Sequence, residues 1–200
     1  MPNIGLIGLA RSGKDTAGKW LVDNRGYSRV AFADPLRQAA LKLDPIVLNR
    51  MDEPDRLSRI VRDYGWERAK DLYPETRRVL QELGSAMREL DEDFWLRAAL
   101  SKVRDVNETT GRPAVITDVR YPNEAAELRH QGFHLVYIDR PGLERLDHPS
   151  EGALTAGDAD YTIVNLGVRL EDFYRDVELF WKRVNDYETR RETNRSVFPF

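Results

Sequence analysis

A glycine-rich segment near the beginning of the chain combines residue types and a spacing that suit phosphate binding. Residues 8–16 have the sequence GLARSGKDT, which contains the pattern G-x-x-x-x-G-K of phosphate-binding loops. Glycines let the backbone curl so that successive N–H groups point at phosphate oxygens, and a following helix adds the positive end of its dipole. Lys14 is then expected to reach the β- and γ-phosphates of a nucleotide. The alternative is a glycine-rich turn with a surface lysine, but an apolar strand before the loop and a helix after it favour the phosphate site.

The residue after this lysine departs from the common pattern. A serine or threonine that holds Mg²⁺ usually stands there, whereas this chain has Asp15, followed by Thr16. A carboxylate binds Mg²⁺ directly or orients its water ligands, so Asp15 is a candidate metal ligand. The loop predicts ATP contacts from Arg11, Ser12, Gly13, Lys14, Asp15 and Thr16.

A second group of polar residues follows a predicted buried strand at residues 114–118. In enzymes with a phosphate loop, an acid at such a strand end organises the Mg²⁺ shell, which makes Asp118 a catalytic and metal-binding candidate. Arg120 and Glu124 follow it on the next turn and helix. The alternative is that Asp118 only caps that helix and that Arg120 pairs with Glu124.

Arginines are the expected source of positive charge around a transferred phosphoryl group. Phosphoryl transfer depends on positioning and charge, and the planar guanidinium grips phosphate oxygens with two donors. Each candidate has the alternative of a solvated surface charge. The candidates are Arg11, Arg37, Arg120, Arg140 and Arg145.

Apolar runs and helical spacing predict an α/β fold that places these residues at strand ends. Predicted strands cover residues 3–8, 27–33, 114–118, 133–139 and 161–165, and predicted helices cover residues 14–24, 34–43, 75–90, 94–106, 123–131 and 170–188. Residues 46–112 are expected to be almost wholly helical, residues 140–158 a long functional loop or lid, and residues 189–200 an extension or a partner contact. Asp34 is predicted to be a helix N-cap, before Pro35 in the first turn. Alternating strands and helices indicate a mostly parallel sheet covered on both faces, with ligands at the carboxyl ends of its strands.

Composition excludes several classes of protein. The net charge is −3, without the basic excess of a general nucleic-acid binder. The absence of cysteine excludes disulfides, zinc–thiolate sites and a cysteine nucleophile. No apolar run approaches the ~18 residues of a membrane span, and residues 1–3 leave no room for a signal peptide. We therefore expect a single soluble domain located in the cytoplasm, with no nucleic-acid or membrane partner.

Several segments together resemble one family, the phage-type deoxynucleoside monophosphate kinases. The segments are GLARSGKDT (8–16), FADPLR (32–37), LQELG (80–84) with Trp95, DVRYPNE (118–124), HPSE (148–151) and DADYTIVN (158–165). The likeness spans about residues 3–180, and the Lys14-Asp15-Thr16 order is usual in that family.

The resemblance implies a P-loop kinase three-layer fold with a mostly parallel central sheet. Its core would comprise about residues 1–45 and 112–188, its helical acceptor-binding insert about 46–111 and its lid about 140–158. It implies ATP and Mg²⁺ as cofactors, a deoxynucleoside monophosphate as acceptor, and host-cell cytoplasm if the chain is phage-encoded. The implied catalytic residues are Lys14, Asp118 and Arg120; the metal ligands are Asp15 and Asp118; the lid contacts to ATP are Arg140 and Arg145; and the acceptor contacts are Ala10, Asp34, Arg37, Gln81, Trp95, Arg120 and Glu124.

Other interpretations stay open at this point. A sibling kinase for dephospho-coenzyme A or phosphomevalonate shares the architecture, and a non-catalytic nucleotide-dependent switch shares the loop. Trp95 suits either base stacking or the core. The long last helix and residues 197–200 suit either a homodimer contact or packing on the core.

Lys14 is expected to contact only the ligand.

Overall fold

The computed structural model of the chain describes residues 1–144 and 152–197. The strands are β1 (Ile4–Ile7), β2 (Ser28–Val30), β3 (Ile46–Leu48), β4 (Pro54–Arg56), β5 (Ala114–Ile116), β6 (His134–Asp139) and β7 (Tyr161–Val164). The helices are α1 (Lys14–Arg25), α2 (Ala33–Leu43), α3 (Leu57–Leu72), α4 (Glu75–Leu90), α5 (Phe94–Thr110), α6 (Pro122–His130) and α7 (Leu170–Val197), with a 3₁₀ helix at Ala156–Asp158. The chain divides into two compact units, the first formed by residues 1–31 and 101–200 and the second by residues 32–100.

The first unit is built on a parallel sheet with the strand order β2-β5-β1-β6-β7. Every neighbouring pair is parallel, which confirms the predicted sheet. The central strands β1 (IGLI) and β5 (AVI) are apolar and buried at every position, as expected for strands covered on both faces. The carboxyl ends of these strands share one edge of the sheet.

Helices cover both faces of this sheet. On one face, Leu21 of α1 and Phe173 of α7 belong to the same core cluster as Ile4 and Leu6 of β1. The Cβ position of Gly5 lies on the opposite face, because successive Cβ positions alternate along a strand. A Cβ at Gly5 would lie 3.3 Å from Leu128 of α6. The sheet therefore lies between α1 and α7 on one side and α6 on the other.

The second unit contains α2, α3, α4 and a two-stranded hairpin. Strands β3 and β4 pair antiparallel, so the prediction that residues 46–112 are almost wholly helical was wrong at this point. Asn49 accounts for the hairpin, since its Oδ1 accepts hydrogen bonds from the backbone N–H groups of Met51 and Glu53 at 2.8 and 3.0 Å. Such a side chain replaces a helical hydrogen bond with a turn. Val47 of β3 packs with Ile60 and Ala69 of α3 in the core of this unit.

Two helix ends differ from the prediction. Helix α2 begins at Ala33, with Phe32 as its N-cap, so Asp34 lies in the first turn and is not the cap; its charge there still complements the helix dipole. Helix α7 continues to Val197, where an extension was predicted. Within the described residues, no helix is both long and apolar enough to cross a membrane.

The loop predicted at residues 140–158 is partly structured. Thr155 caps the 3₁₀ helix, with its hydroxyl accepting from the N–H of Gly157, and Asp158 accepts in return from the N–H of Thr155. Arg145 and residues 148–151 lie outside the described residues.

Candidate active site

The phosphate-binding loop joins β1 to α1 at the carboxyl edge of the sheet. Its curvature comes from three residues with positive φ: Gly8 (145°), Arg11 (64°) and Gly13 (114°). At Gly8 only a glycine fits, since a Cβ would lie 2.5 Å from the carbonyl oxygen of Ile138 in β6. The loop therefore packs directly on the neighbouring strand, with Ala10 at its tip.

Lys14 begins α1 and folds back over the loop. Its side chain is 9% exposed, and Nζ donates to the carbonyl oxygens of Gly8 and Leu9, at 2.7 Å each. The expectation that Lys14 contacts only the ligand was therefore wrong. A phosphate that binds the ammonium group of Lys14 must therefore compete with the carbonyl oxygens of Gly8 and Leu9, which already accept its hydrogen bonds.

Ser12 contributes its backbone rather than its side chain to the surface of the loop. The residue is buried, and among the described residues its Oγ has no hydrogen-bond partner. Its N–H donates to the carbonyl of Leu9 at 3.2 Å and closes a turn within the loop.

A cavity of about 340 Å³ opens beside the loop within the first unit. Its lining carries a positive net charge, because it includes four cationic residues (Arg11, Lys14, Arg140 and Arg169) and one acidic residue (Asp15). The remaining lining residues are Gly13, Thr16, Asn165, Gly167, Leu170 and Phe173. A concave, positively charged site at the carboxyl ends of parallel strands is suited to a polyphosphate.

The sequence interpretation missed the part of this cavity that follows β7. Asn165, Gly167, Arg169, Leu170 and Phe173 line it, yet none was assigned a role. A signal was present, because the predicted strand at residues 161–165 must end at the same edge as the phosphate-binding loop.

Asp15 lies in the first turn of α1 with its side chain 85% exposed. Its carboxylate is 3.9 Å from Nη2 of Arg29 on β2, a distance at which an exposed pair contributes little. The carboxylate is thus accessible to a cation. Among the described residues, no cluster of three or more acidic, histidine or cysteine side chains is arranged to hold a metal, so a metal here would take most of its ligands from water and phosphate.

Asp118 lies two residues after the end of β5. Because β5 pairs in parallel with β1, the strand that precedes the phosphate-binding loop, both segments start from the same edge of the sheet. The following turn is held by Glu124, which is 1% exposed. Its Oε2 accepts from the backbone N–H groups of Arg120 at 2.8 Å and Tyr121 at 3.1 Å. Glu124 therefore fixes the turn on which Asp118 and Arg120 are presented.

Arg37 of α2 lies among charged and aromatic groups of the second unit. Its Nη2 donates to Glu67 at 3.1 Å, and its guanidinium lies 5.5 Å over the ring of Trp66. The pKa of Glu67 is lowered, mainly by the hydrogen bond from Lys70 and to a smaller extent by the charge of Arg37. This arrangement holds an arginine fork in a defined position.

The other predicted acceptor contacts in this unit differ in exposure. Gln81 is exposed on α4, and Asp34 is partly exposed on α2. Trp95 is 4% exposed, and its Nε1 donates to the carbonyl of Gly84 at 3.2 Å. Of the two interpretations of Trp95, burial favours the core over base stacking.

Arg140 follows β6 and contacts the phosphate-binding loop directly. Its Nη1 donates to the carbonyl oxygen of Arg11 at 3.2 Å. The cavity of the first unit is thus lined by Arg11, Gly13, Lys14, Asp15, Thr16 and Arg140 of the predicted set. Ala10 and Ser12 belong to the same loop, Asp118 and Arg120 follow β5, the strand beside β1, and Glu124 lies in α6.

Comparison with known proteins identifies relatives over most of the chain. A family model described as deoxynucleotide monophosphate kinase matches residues 73–177. A protein of Acanthamoeba polyphaga mimivirus, provisionally named a deoxynucleotide monophosphate kinase, is 32% identical over 182 residues, covering 87% of this chain and 93% of the viral protein. An uncharacterised protein of Ictalurid herpesvirus 1 (strain Auburn), ORF77, is 38% identical over 85 residues, covering 40% of this chain and 37% of that protein.

Two solved structures show a more distant likeness. Shikimate kinase from Aquifex aeolicus aligns with a TM-score of 0.43 and 16% identity over 90% of this chain and 96% of that chain. An APS kinase mutant from Mycobacterium tuberculosis aligns with a TM-score of 0.37 and 15% identity over 90% of this chain and 98% of that chain. Neither structure bears on the activity of this chain.

Proposed function

The chain belongs to the deoxynucleotide monophosphate kinase family, and from that premise we propose how its residues perform the transfer. Its activity is the ATP-dependent transfer of the γ-phosphoryl group to a deoxynucleoside 5′-monophosphate, which gives the diphosphate and ADP. The observation that carries the proposal is the phosphate-binding loop with its buried lysine, which opens on a cationic cavity at the edge of a parallel sheet.

The donor site is assigned to the loop and the cavity. The backbone N–H groups of Arg11 and of residues 13–16 would hold the phosphates of ATP, while that of Ser12 closes the turn with Leu9. The ammonium group of Lys14 would stabilise the negative charge that spreads over the γ-phosphoryl oxygens in the transition state. Arg140 would add charge from the neighbouring strand end. Only the resemblance of residues 140–158 to the lid of the family assigns the same role to Arg145.

The acidic residues fit a Mg²⁺ ion. Asp15 offers an exposed carboxylate beside the loop, Asp118 follows the adjacent strand, and hard oxygen ligands are those that Mg²⁺ prefers. When bound, Mg²⁺ neutralises charge on the β- and γ-phosphates. Asp15 and Asp118 would orient the ion through direct or water-mediated contacts.

Positively charged residues would position the acceptor. Arg37 would bind the acceptor phosphate, Arg120 would contact the transferred phosphoryl group, and Glu124 would hold the turn that carries Arg120. An acceptor phosphate oxygen attacks the γ-phosphorus, the new P–O bond forms as the bond to the β-phosphate oxygen breaks, and ADP leaves with that electron pair. No general base is needed, because the acceptor phosphate is already ionised.

A coupled assay of ADP formation tests the proposal across all deoxynucleoside monophosphates, with ATP alone as background. We expect ADP production well above background with at least one of them. Dephospho-coenzyme A and phosphomevalonate belong in the same screen. Activity with one of them, and with no deoxynucleoside monophosphate, would identify the chain as a sibling kinase. Tight ATP binding without transfer to any acceptor would instead indicate a nucleotide-dependent switch.

Replacing Arg37 by alanine should raise the KM for the acceptor about 30-fold, because a charge-assisted hydrogen bond to phosphate contributes about 2 kcal/mol. The KM for ATP should change less than about threefold. Initial rates with each substrate varied in turn measure both constants. Arg62→Ala is the matched control, since Arg62 is an exposed arginine of the same unit whose Nε donates to its neighbour Asp63 at 3.0 Å. Equal rises in both KM values would remove Arg37 from the acceptor site.

A homodimer stays a prediction, and sedimentation of the purified chain over a range of concentrations tests it. A single species with the mass of one chain would exclude it.

A further inference from the structure

Two side chains from neighbouring strand ends hold consecutive carbonyls of the phosphate-binding loop. Asn165, directly after β7, donates from Nδ2 to the carbonyl of Ser12 at 2.8 Å, and Arg140, directly after β6, donates to that of Arg11 at 3.2 Å. Asn165 is the more constrained of the two, since it is 9% exposed whereas Arg140 is exposed. The hydrogen bond from Asn165 is therefore shielded from water, which strengthens it.

Both ends of the Asn165 amide are used. While Nδ2 donates to Ser12, Oδ1 accepts from the backbone N–H of Gly167 at 3.1 Å. An amide supplies a donor and an acceptor, so only one orientation of the group satisfies both contacts. The side chain thus links the loop to residues 166–169, among which Gly167 and Arg169 line the same cavity.

The contact with Ser12 sets the direction of an N–H group. In a trans peptide the carbonyl of Ser12 and the N–H of Gly13 lie in one plane and point in opposite directions. By fixing the direction of that carbonyl, Asn165 also fixes the direction of the N–H of Gly13, a residue that lines the cavity. The contact is close, since a Cβ on Gly13 would lie 2.6 Å from Nδ2 of Asn165.

We infer that Asn165 is a positioning residue for the donor nucleotide, which acts by orienting the Gly13 amide towards the phosphates and by joining the phosphate-binding loop to the segment after β7. The inference rests on the proposed function for the identity of the donor as ATP. It is independent of the acceptor, because every group involved belongs to the loop and the cavity beside it.

The test is Asn165→Asp, studied by the binding of ATP and by its pH dependence. At pH 8 the introduced carboxylate has no donor for the carbonyl of Ser12 and repels it, so ATP affinity should fall about 30-fold or more. Burial beside a carbonyl raises the pKa of that carboxyl above the ordinary value of about 3.9, and the cations Lys14, Arg140 and Arg169 of the same cavity oppose this rise. As the pH falls through the raised pKa, the carboxyl gains an O–H that donates to Ser12. The ratio of variant to wild-type Kd should then shrink several-fold between pH 8 and pH 5.5.

Two further variants separate positioning from loss of structure. Asn165→Ala should weaken ATP binding about tenfold at every pH, because it lacks any donor to recover. Asn24→Asp is the matched control, since Asn24 makes the same kind of bond, from Nδ2 to the carbonyl of Trp20 at 2.9 Å, near the other end of α1. Its ATP Kd should stay within about twofold of wild type.

Calorimetric titration with ATP measures each Kd in the absence of any acceptor, so the result stands whichever acceptor the enzyme uses. The inference is overturned if either Asn165→Asp or Asn165→Ala binds ATP as tightly as wild type, or if the deficit of Asn165→Asp is the same at pH 5.5 and pH 8. If Asn165→Asp does not fold at pH 8, Asn165→Ala carries the test, and unchanged ATP affinity in that variant overturns the inference.

Discussion

Replacing Lys14 by alanine should lower the kcat of phosphoryl transfer about 100- to 1000-fold while the chain stays folded. Lys14 is the buried cation of the phosphate-binding loop, and removal of one group that stabilises the developing charge costs about 3–4 kcal/mol in such sites. The two hydrogen bonds from Nζ to Gly8 and Leu9 are lost as well. Their loss should lower the free energy of unfolding by only about 1–2 kcal/mol, because both carbonyls belong to a loop beside an open cavity.

Single-turnover and steady-state rates, with circular dichroism and a thermal melt, measure the two effects separately. Lys19→Ala is the matched control on the same helix, since Lys19 is exposed and pairs with Asp23 at 2.7 Å. It should retain the wild-type kcat. A Lys14→Ala enzyme with normal dichroism and a kcat within tenfold of wild type would exclude Lys14 from the transition state.

Replacing Gly13 by alanine should both destabilise the chain and abolish tight ATP binding. Gly13 is the N-cap of α1 and has a φ of 114°, which costs an alanine about 1–2 kcal/mol. Its Cβ would also lie 2.6 Å from Nδ2 of Asn165 and 3.3 Å from Cζ of Phe173. The loop must shift to relieve these contacts, so we expect a total loss of about 2–4 kcal/mol in the free energy of unfolding and a rise of about 100-fold or more in the Kd for ATP.

Gly26→Ala separates backbone strain from the clash. Gly26 caps the other end of α1 with a φ of 71°, and nothing lies within 4 Å of its Cβ position. It should therefore cost about 1 kcal/mol and leave the Kd for ATP unchanged. Urea unfolding and ATP titration of both variants provide the comparison. Equal losses of stability and of ATP affinity in the two variants would contradict the close packing of Asn165 on Gly13.

Local patterns of sequence were sufficient for the elements of the sheet. β1 and β5 are short apolar runs, and a strand covered on both faces must have such a sequence, so their positions followed from composition. The helix predicted at residues 75–90 agrees with α4 (Glu75–Leu90) in both bounds, since Pro74 precedes it and its apolar residues recur at helical spacing.

Local patterns failed where a side chain or a tertiary contact took the place of a backbone hydrogen bond. The amide of Asn49 closes the hairpin of β3 and β4, which propensity alone assigned to a helix. Helix α7 continues through a polar segment that was predicted to be an extension, because residues 188–195 are rich in glutamate and arginine, which favour a helix without an apolar pattern. The hairpin depends on individual hydrogen bonds that no window of hydropathy contains.

The candidate site divides along the same line. The sequence by itself predicted a phosphate-binding loop, because Gly8, Gly13 and Lys14 at that spacing between a strand and a helix are a local requirement of loop geometry. Only the tertiary structure decided the contacts of the candidate residues. Lys14 turns onto the loop's own carbonyls, Glu124 is buried under the turn that carries Arg120, Trp95 enters the core, and Asn165 reaches Ser12 across 153 positions of the chain. Such contacts arise because parallel strands bring their carboxyl ends to one edge of the sheet, where residues far apart in the chain become neighbours.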